Sequence, residues 1–139
     1  MSKILANDGI SDSGKVALEE KGFQVITEKV DQENLIETIN KEDIEVLLVR
    51  SATTARKELI DACPNLKIIG RGGVGMDNID VEYAKEKGLE VYNTPAASSS
   101  SVAELVFAHL FGMVRFLYES NRQMPLEGDE KFKDLKKAF

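Results

Sequence analysis

A chain of 139 residues with 42% hydrophobic and 30% charged residues has the makeup of one soluble globular domain with a real core, and its composition is neither that of a disordered segment nor that of a membrane protein. Its net charge of -6 argues against a nucleic-acid surface, because no run of Lys and Arg is present to neutralise phosphates, but a small anionic ligand needs only one local group of donors. Polarity too early for a signal peptide in Met1-Ser2-Lys3-Ile4, and a lone Cys63 that cannot form an internal disulfide, make the cytoplasm the expected compartment.

Apolar runs of strand length alternate with amphipathic segments. Ile4 to Ala6 reads as a first strand, followed by a helix over Ser13 to Lys21 that Gly22 closes. Phe23 to Thr27 is a second strand and Gln32 to Asn40 a second helix. Val46 to Arg50 is a third strand, Arg56 to Ala62 a third helix, and Cys63 a small buried hydrophobe ending it before Pro64. Lys67 to Ile69 is a fourth strand, Val81 to Lys87 a helix stopped by Gly88, and Leu89 to Tyr92 a fifth strand. Strand and helix in alternation without hairpin signals predict parallel pairing through right-handed crossovers. The fold class is α/β, a doubly wound, mostly parallel five-stranded sheet of flavodoxin-like type followed by a long crossover helix. The continuously apolar "VLLV" and "KIIG" suit strands covered on both faces. Ligands of such sheets sit at the carboxyl ends of the strands.

After Pro95 the character changes. "AASSSS" leads to Ser101 and Glu104, which fit a capping box opening a long helix. From Leu105 to Val114 only His109 is polar, so this helix is apolar nearly all round and needs cover on several sides. Its ten-residue apolar core is too short to span a bilayer. His109 inside it is expected as a hydrogen-bonded core or interface histidine rather than a general base. From Pro125 the charged, weakly patterned sequence reads as a connector.

Two stretches imitate phosphate loops. Gly9 to Val16, "GISDSGKV", nearly spells G-x-x-x-x-G-K-[ST], but Val16 has no hydroxyl for magnesium and Asp12 would put a carboxylate in the anion cradle. It reads as a crossover loop that caps the next helix. Gly70 to Gly75 spells G-x-G-x-x-G between a strand and a helix. A dinucleotide fingerprint, however, opens its domain at the first strand and is followed about 20 residues on by an acid for the ribose, whereas this loop follows the fourth strand and the next strand ends at Asn93. Its glycines instead leave the amides of Gly72, Gly73 and Val74 bare of side chains, and such a turn can present N–H groups to a carboxylate. One strand over, "VRSATT" places Arg50 and Ser51 at the same edge, where a guanidinium offers a fork of donors to an anion. Arg50 also stands where a phosphorylatable receiver module would need an Asp. No metal-ligand cluster and no nucleophile setting occurs in the sequence.

"VRSATT", "NLKIIGRGGVGMDNIDVEYAKEKGLEVYNTPAASSSSVAEL" and "NRQMPLEGD", in that order, resemble the D-isomer-specific 2-hydroxyacid dehydrogenases, most closely the D-3-phosphoglycerate dehydrogenases of serine biosynthesis. The resemblance implies an NAD-dependent oxidoreductase interconverting 3-phosphoglycerate and 3-phosphohydroxypyruvate, with a hydroxypyruvate or other 2-hydroxyacid reductase, or a stand-alone small-acid binding module, as alternatives. It implies that residues 1–95 are the substrate domain, and 96–139 the crossover helix and the start of a nucleotide-binding domain. The cofactor fingerprint and the catalytic Arg, Glu and His belong to the missing remainder of that domain, so the 139 residues alone are expected to be inactive, with no catalytic residue and no metal ligand among them.

By the same resemblance the amides of Gly72, Gly73 and Val74 bind the carboxylate of the 2-oxo acid, and Arg50 and Ser51 face the anionic groups of the substrate. Val74, Ser98 and Val102 are the positions implied for NAD; the family often has Asn where Ser98 stands, a departure at that contact. The helix over 102–118 is implied as a dimer interface, giving a homodimer or higher oligomer. No nucleic acid and no membrane is expected as a partner.

Overall fold

In the computed structural model the backbone is described for residues 1–139, and the side chains for all of them except Gly128 and Asp129. The strands are β1 (Lys3–Ala6), β2 (Gln24–Ile26), β3 (Ile44–Val49), β4 (Ile68–Arg71) and β5 (Glu90–Asn93). All pair in parallel in the order β2-β1-β3-β4-β5, the doubly wound sheet that the alternation predicted. The crossovers carry α1 (Asp12–Glu20), a 3-10 turn (Gln32–Asn34) leading into α2 (Leu35–Glu42), α3 (Lys57–Ala62) and α4 (Val81–Glu86). Gly22 and Gly88 follow α1 and α4 at φ +88° and +86°, the left-handed conformation that lets a chain leave a helix sharply.

One face of the sheet is fully packed. Leu5, Leu47, Val49 and Ile69 are buried against Leu35 and Ile39 of α2, Leu59 and Ile60 of α3 and Ala84 of α4. Burying each of the larger side chains contributes about 1.5–3 kcal/mol. Cys63 ends α3 and is 1% exposed, and burial pushes its thiol above its ordinary value, as expected of an inert core residue. The other face is thinly covered. No residue of α1 is buried, and Val46, Leu48 and Ile68 are only half-buried. The register sets Leu48, Gly70 and Tyr92 side by side there, because alternate residues of neighbouring strands share a face.

The chain divides into two compact units, Met1–Ala97 and Ser98–Phe139. The second consists of α5 (Ser99–Val114) and α6 (Leu117–Ala138). Three expectations for this part need correction. The capping box is absent: α5 begins before Ser101, and its N-cap, Ser98, makes no side-chain cap hydrogen bond, since four consecutive serines offer equivalent starting points. The helix expected over 102–118 is interrupted, because Phe116 takes φ 50° and ψ 38° just past the C-cap Arg115, which is how helices commonly end, though usually at glycine. The stretch after Pro125 is helical rather than a connector. Most of its residues, Leu, Glu, Lys and Ala among them, are good helix formers. Lys131 pairs with Glu127 at 3.0 Å although its own backbone breaks the helical geometry at φ -113° and ψ 19°, and a helix with little buried surface shows no apolar stripe.

Within this unit almost every residue of α5 is exposed, including Leu105, Phe107 and Phe111. His109 is exposed too, so the core reading of that residue falls. No single helix among the described residues is long and apolar enough to cross a membrane.

Candidate functional site

The strand order 2-1-3-4-5 reverses direction between β1 and β3, and the carboxyl ends of those strands are where sheets of this type open a crevice. Here the chain leaves β1 through Asn7 and Asp8, β3 through Arg50 to Thr54, β4 through Gly72 to Asp80 and β5 through Thr94. All the loops singled out in the sequence lie on this one edge.

Asp8 organises it. Its carboxylate accepts hydrogen bonds from the Arg50 amide at 2.6 Å, the Thr53 amide at 3.0 Å and the Thr53 hydroxyl at 2.7 Å. Burial alone pushes the Asp8 carboxyl upward, but the Thr53 hydroxyl, the two amides and the Lys29 ammonium outweigh it and hold the group below its ordinary value of 3.8. Asn7 donates to the Thr53 hydroxyl at 2.9 Å and to the Val30 carbonyl at 3.0 Å. From the far side Asn78 donates to the carbonyls of Arg50 at 2.7 Å and Thr53 at 2.6 Å. Asn7, Thr53 and Asn78 are 2%, 3% and 6% exposed, so water cannot replace these bonds. Sequence reasoning missed this network. Its members lie far apart along the chain, and nothing local marks them.

The glycine loop differs in detail from the expectation. The Gly72 amide is taken up by the Val49 carbonyl at 2.9 Å, and the Gly73 amide by the Arg71 carbonyl at 3.0 Å. Of the three amides predicted to be available, only that of Val74 lacks a partner among the described residues, and the Gly75 amide joins it. The reason is continuity of the sheet: Gly72 extends the β3–β4 ladder one residue past β4. Thr94 donates to the Gly73 carbonyl at 3.0 Å and Asn93 to the Val74 carbonyl at 2.7 Å. In a planar trans peptide the N–H points opposite the C=O, so the Val74 and Gly75 amides face away from β5.

The glycines have a second physical cause. A Cβ on Gly72 would stand 3.5 Å from Cγ of Arg50, and one on Gly73 would stand 2.5 Å from Nη1 of Arg71. The Arg50 side chain thus passes Gly72 at its Cγ, and the Arg71 guanidinium lies over Gly73. Arg50 is exposed, and neither arginine forms an ion pair among the described residues. Nε of Arg71 is buried without a hydrogen-bond partner among the described residues, and such groups are rare enough to require a reason. Arg71 borders the candidate cleft, and the sequence reading passed over it as the variable letter of a glycine pattern.

Both arginines border one cleft of roughly 830 Å3, together with Gly9, Leu48, Gly70 and Tyr92, within the size range of small-molecule sites. Gly9, at φ +83°, starts the loop that imitated a triphosphate site; its Ser11 instead accepts a hydrogen bond from the Gly14 amide and caps α1, the ordinary role expected of it. Of the predicted site residues, Arg50 and Gly72 line the cleft, Ser51 and Val74 are exposed on the adjoining loops, and Gly73 is half-buried. Ser98 and Val102 are exposed at the start of α5 in the second unit.

A dinucleotide diphosphate does not fit the glycine loop. Two of the amides that would cradle it are already bonded, α4 has only 6 residues, and β5 ends at Asn93 with no acid for a ribose.

A sequence profile described as "D-isomer specific 2-hydroxyacid dehydrogenase, catalytic domain" matches residues 4–124. The chain is 44% identical over 115 residues to a D-3-phosphoglycerate dehydrogenase of Methanocaldococcus jannaschii, covering 83% of this chain and 22% of that protein. It is 39% identical over 116 residues to a hydroxypyruvate reductase of Thermotoga maritima, covering 83% of this chain and 37% of that one. The chain therefore spans well under half the length of these relatives. Among solved structures, the NAD+-bound 3-phosphoglycerate dehydrogenase of Entamoeba histolytica superposes with a TM-score of 0.66 at 30% identity, over 80% of this chain and 38% of that one. With its sheet order, its cleft and these matches agreeing, the chain belongs to the D-isomer specific 2-hydroxyacid dehydrogenase family, in the catalytic domain of that family.

Proposed function

We propose that this chain is the substrate-binding part of an NAD-dependent D-3-phosphoglycerate dehydrogenase, interconverting 3-phosphoglycerate and 3-phosphohydroxypyruvate. The observation that carries this reading is the pair Arg50 and Arg71, the first passing Gly72 and the second lying over Gly73, both bordering one cleft. Two guanidinium groups with no ion-pair partner among the described residues suit a ligand with an anion at each end. Arg50, with Ser51 and the Val74 amide, takes the carboxylate, and Arg71 takes the phosphate. The match to the Methanocaldococcus enzyme supports the same substrate. NAD supplies the hydride acceptor. Val74, Ser98 and Val102 are the positions of this chain that face it, and its diphosphate is held elsewhere in the enzyme. The exposed apolar surface of α5 supports the further reading that the nucleotide-binding portion and a second copy of the chain cover it, giving a cytoplasmic homodimer or higher oligomer.

The match to a hydroxypyruvate reductase favours a second reading, a reductase of unphosphorylated 2-oxo acids. Calorimetric titration of the chain with 3-phosphoglycerate and with glycerate separates the two. The first reading expects tighter binding of the phosphorylated acid and loss of that preference in Arg71→Gln; equal binding of both acids favours the second.

A further inference from the structure

Asp8 poses an electrostatic problem. On the functional reading above, an acid binds beside Arg50, yet a carboxylate stands directly behind the Arg50 amide. Left to act through space, that charge would weaken binding of an anion. Its hydrogen bonds point to a different task. The Arg50 amide is held by Asp8 at 2.6 Å and the Arg50 carbonyl by Asn78 at 2.7 Å. The two peptide planes on either side of Arg50 are therefore fixed, and with them both soft backbone dihedrals of that residue. Thr53 is gripped by the same two side chains, its amide by Asp8 at 3.0 Å and its carbonyl by Asn78 at 2.6 Å. The loop from Arg50 to Thr53 is thus clamped at both ends by one side chain from the edge of β1 and one from beyond β4, and Asn7 locks the Thr53 hydroxyl in turn.

We propose that Asp8 and Asn78 are positioning residues for acid recognition, holding the Arg50 backbone so that its side chain leaves past Gly72 beside the cleft before the ligand arrives. The inference rests on the functional reading above. An arginine on an unrestrained loop loses backbone and side-chain freedom when it binds, whereas a pre-set one does not, and that difference appears as affinity. Asp8 has no contact with the ligand in this arrangement.

The test is a double-mutant cycle read by calorimetric titration of the chain with 3-phosphoglycerate. Asp8→Asn keeps the size of the side chain but cannot accept all three hydrogen bonds, and it removes the negative charge. Positioning expects it to weaken binding about tenfold, although simple charge removal would strengthen binding of an anion. In the Arg50→Gln background the same change should alter affinity less than about twofold, because the group being positioned is gone. Asn78→Ser, which withdraws the donor on the other side of Arg50, is run in the same cycle so that the result does not depend on one variant folding, and dispersed amide spectra establish folding before each titration. Failure of the unaltered chain to bind, or binding indifferent to Arg50→Gln, would bring down the functional reading and this inference with it. Binding that needs Arg50 but is unchanged or strengthened by Asp8→Asn, or weakened equally in both backgrounds, overturns the positioning role alone.

Discussion

The guanidinium of Arg71 lies over Gly73, with Nη1 2.5 Å from the point a Gly73 Cβ would occupy. A methyl there must displace Arg71, and the displaced atoms are the end of a flexible side chain. Gly73→Ala is accordingly expected to change stability by no more than about 0.5 kcal/mol, the range of surface substitutions, yet to weaken binding of 3-phosphoglycerate severalfold. Urea unfolding and calorimetric titration of the same preparation measure the two effects. Unchanged affinity would detach Arg71 from the site.

Gly70 shows the opposite balance. A Cβ there would meet Cδ2 of Leu48 at 2.7 Å, inside a strand pair whose backbone is fixed by its ladder. Ala gains about 0.5–1 kcal/mol over Gly in backbone entropy, against about 1–3 kcal/mol for overpacking. The clash wins. Gly70→Ala should lower stability by about 1 kcal/mol net, because Leu48 can relieve part of the overlap by turning into the cleft, and that movement should also reduce ligand affinity. A midpoint of urea unfolding equal to or above that of the unaltered chain would contradict this.

Asp8 fixes the sign of one pH dependence. Its folded value is lowered from 3.8, so its contribution to stability is fully present above the unfolded value and is lost as the pH falls through the lower folded value. Stability of the chain should decline below about pH 4, and Asp8→Asn should be less stable than the unaltered chain at neutral pH but show a shallower decline. Parallel slopes for the two proteins across the acid range would remove Asp8 from the account.

Since the glycine loop does not suit a dinucleotide diphosphate, the 139-residue chain mixed with NAD and 3-phosphoglycerate should produce no NADH above background. An absorbance assay decides this, and turnover would mean that catalytic groups have been overlooked within these residues.

The serines near helix starts are expected to behave unequally. Ser11→Ala removes a cap bond to the Gly14 amide and should cost about 0.5–1 kcal/mol, the lower part of the usual range for an exposed cap. Ser98→Ala and Ser101→Ala remove no cap bond and should each stay within about 0.5 kcal/mol. Thermal unfolding of the three variants provides the comparison.

Much of the architecture was legible because local signals agreed. The continuous apolar runs of β3 and β4, the stop at Gly22 and the stop at Gly88 each carry a local physical meaning, and the absence of hairpin turns left parallel pairing as the consistent solution. Arg50 and the glycine loop were placed at the right edge by the same logic. What sequence could not carry was commitment over distance. Whether the Gly72 amide is available depends on the Val49 carbonyl one strand away, and the role of Asp8 depends on Thr53, 45 positions along the chain. The helix after Pro125 escaped notice for another reason: periodicity registers only where one side of a helix is buried, and α6 has little buried surface to report.

The bare flank of α5 also bears on the order in which the polypeptide takes shape. Synthesis delivers the amino-terminal end first, so every strand from Lys3 to Asn93 has emerged before the segment containing Leu105, Phe107 and Phe111. The sheet can close while that greasy segment is still inside the ribosome. Afterwards the segment reaches water with Leu105, Phe107 and Phe111 still exposed in its own unit, and greasy surface of that kind leaves newborn copies prone to clump and with something to gain from a chaperone.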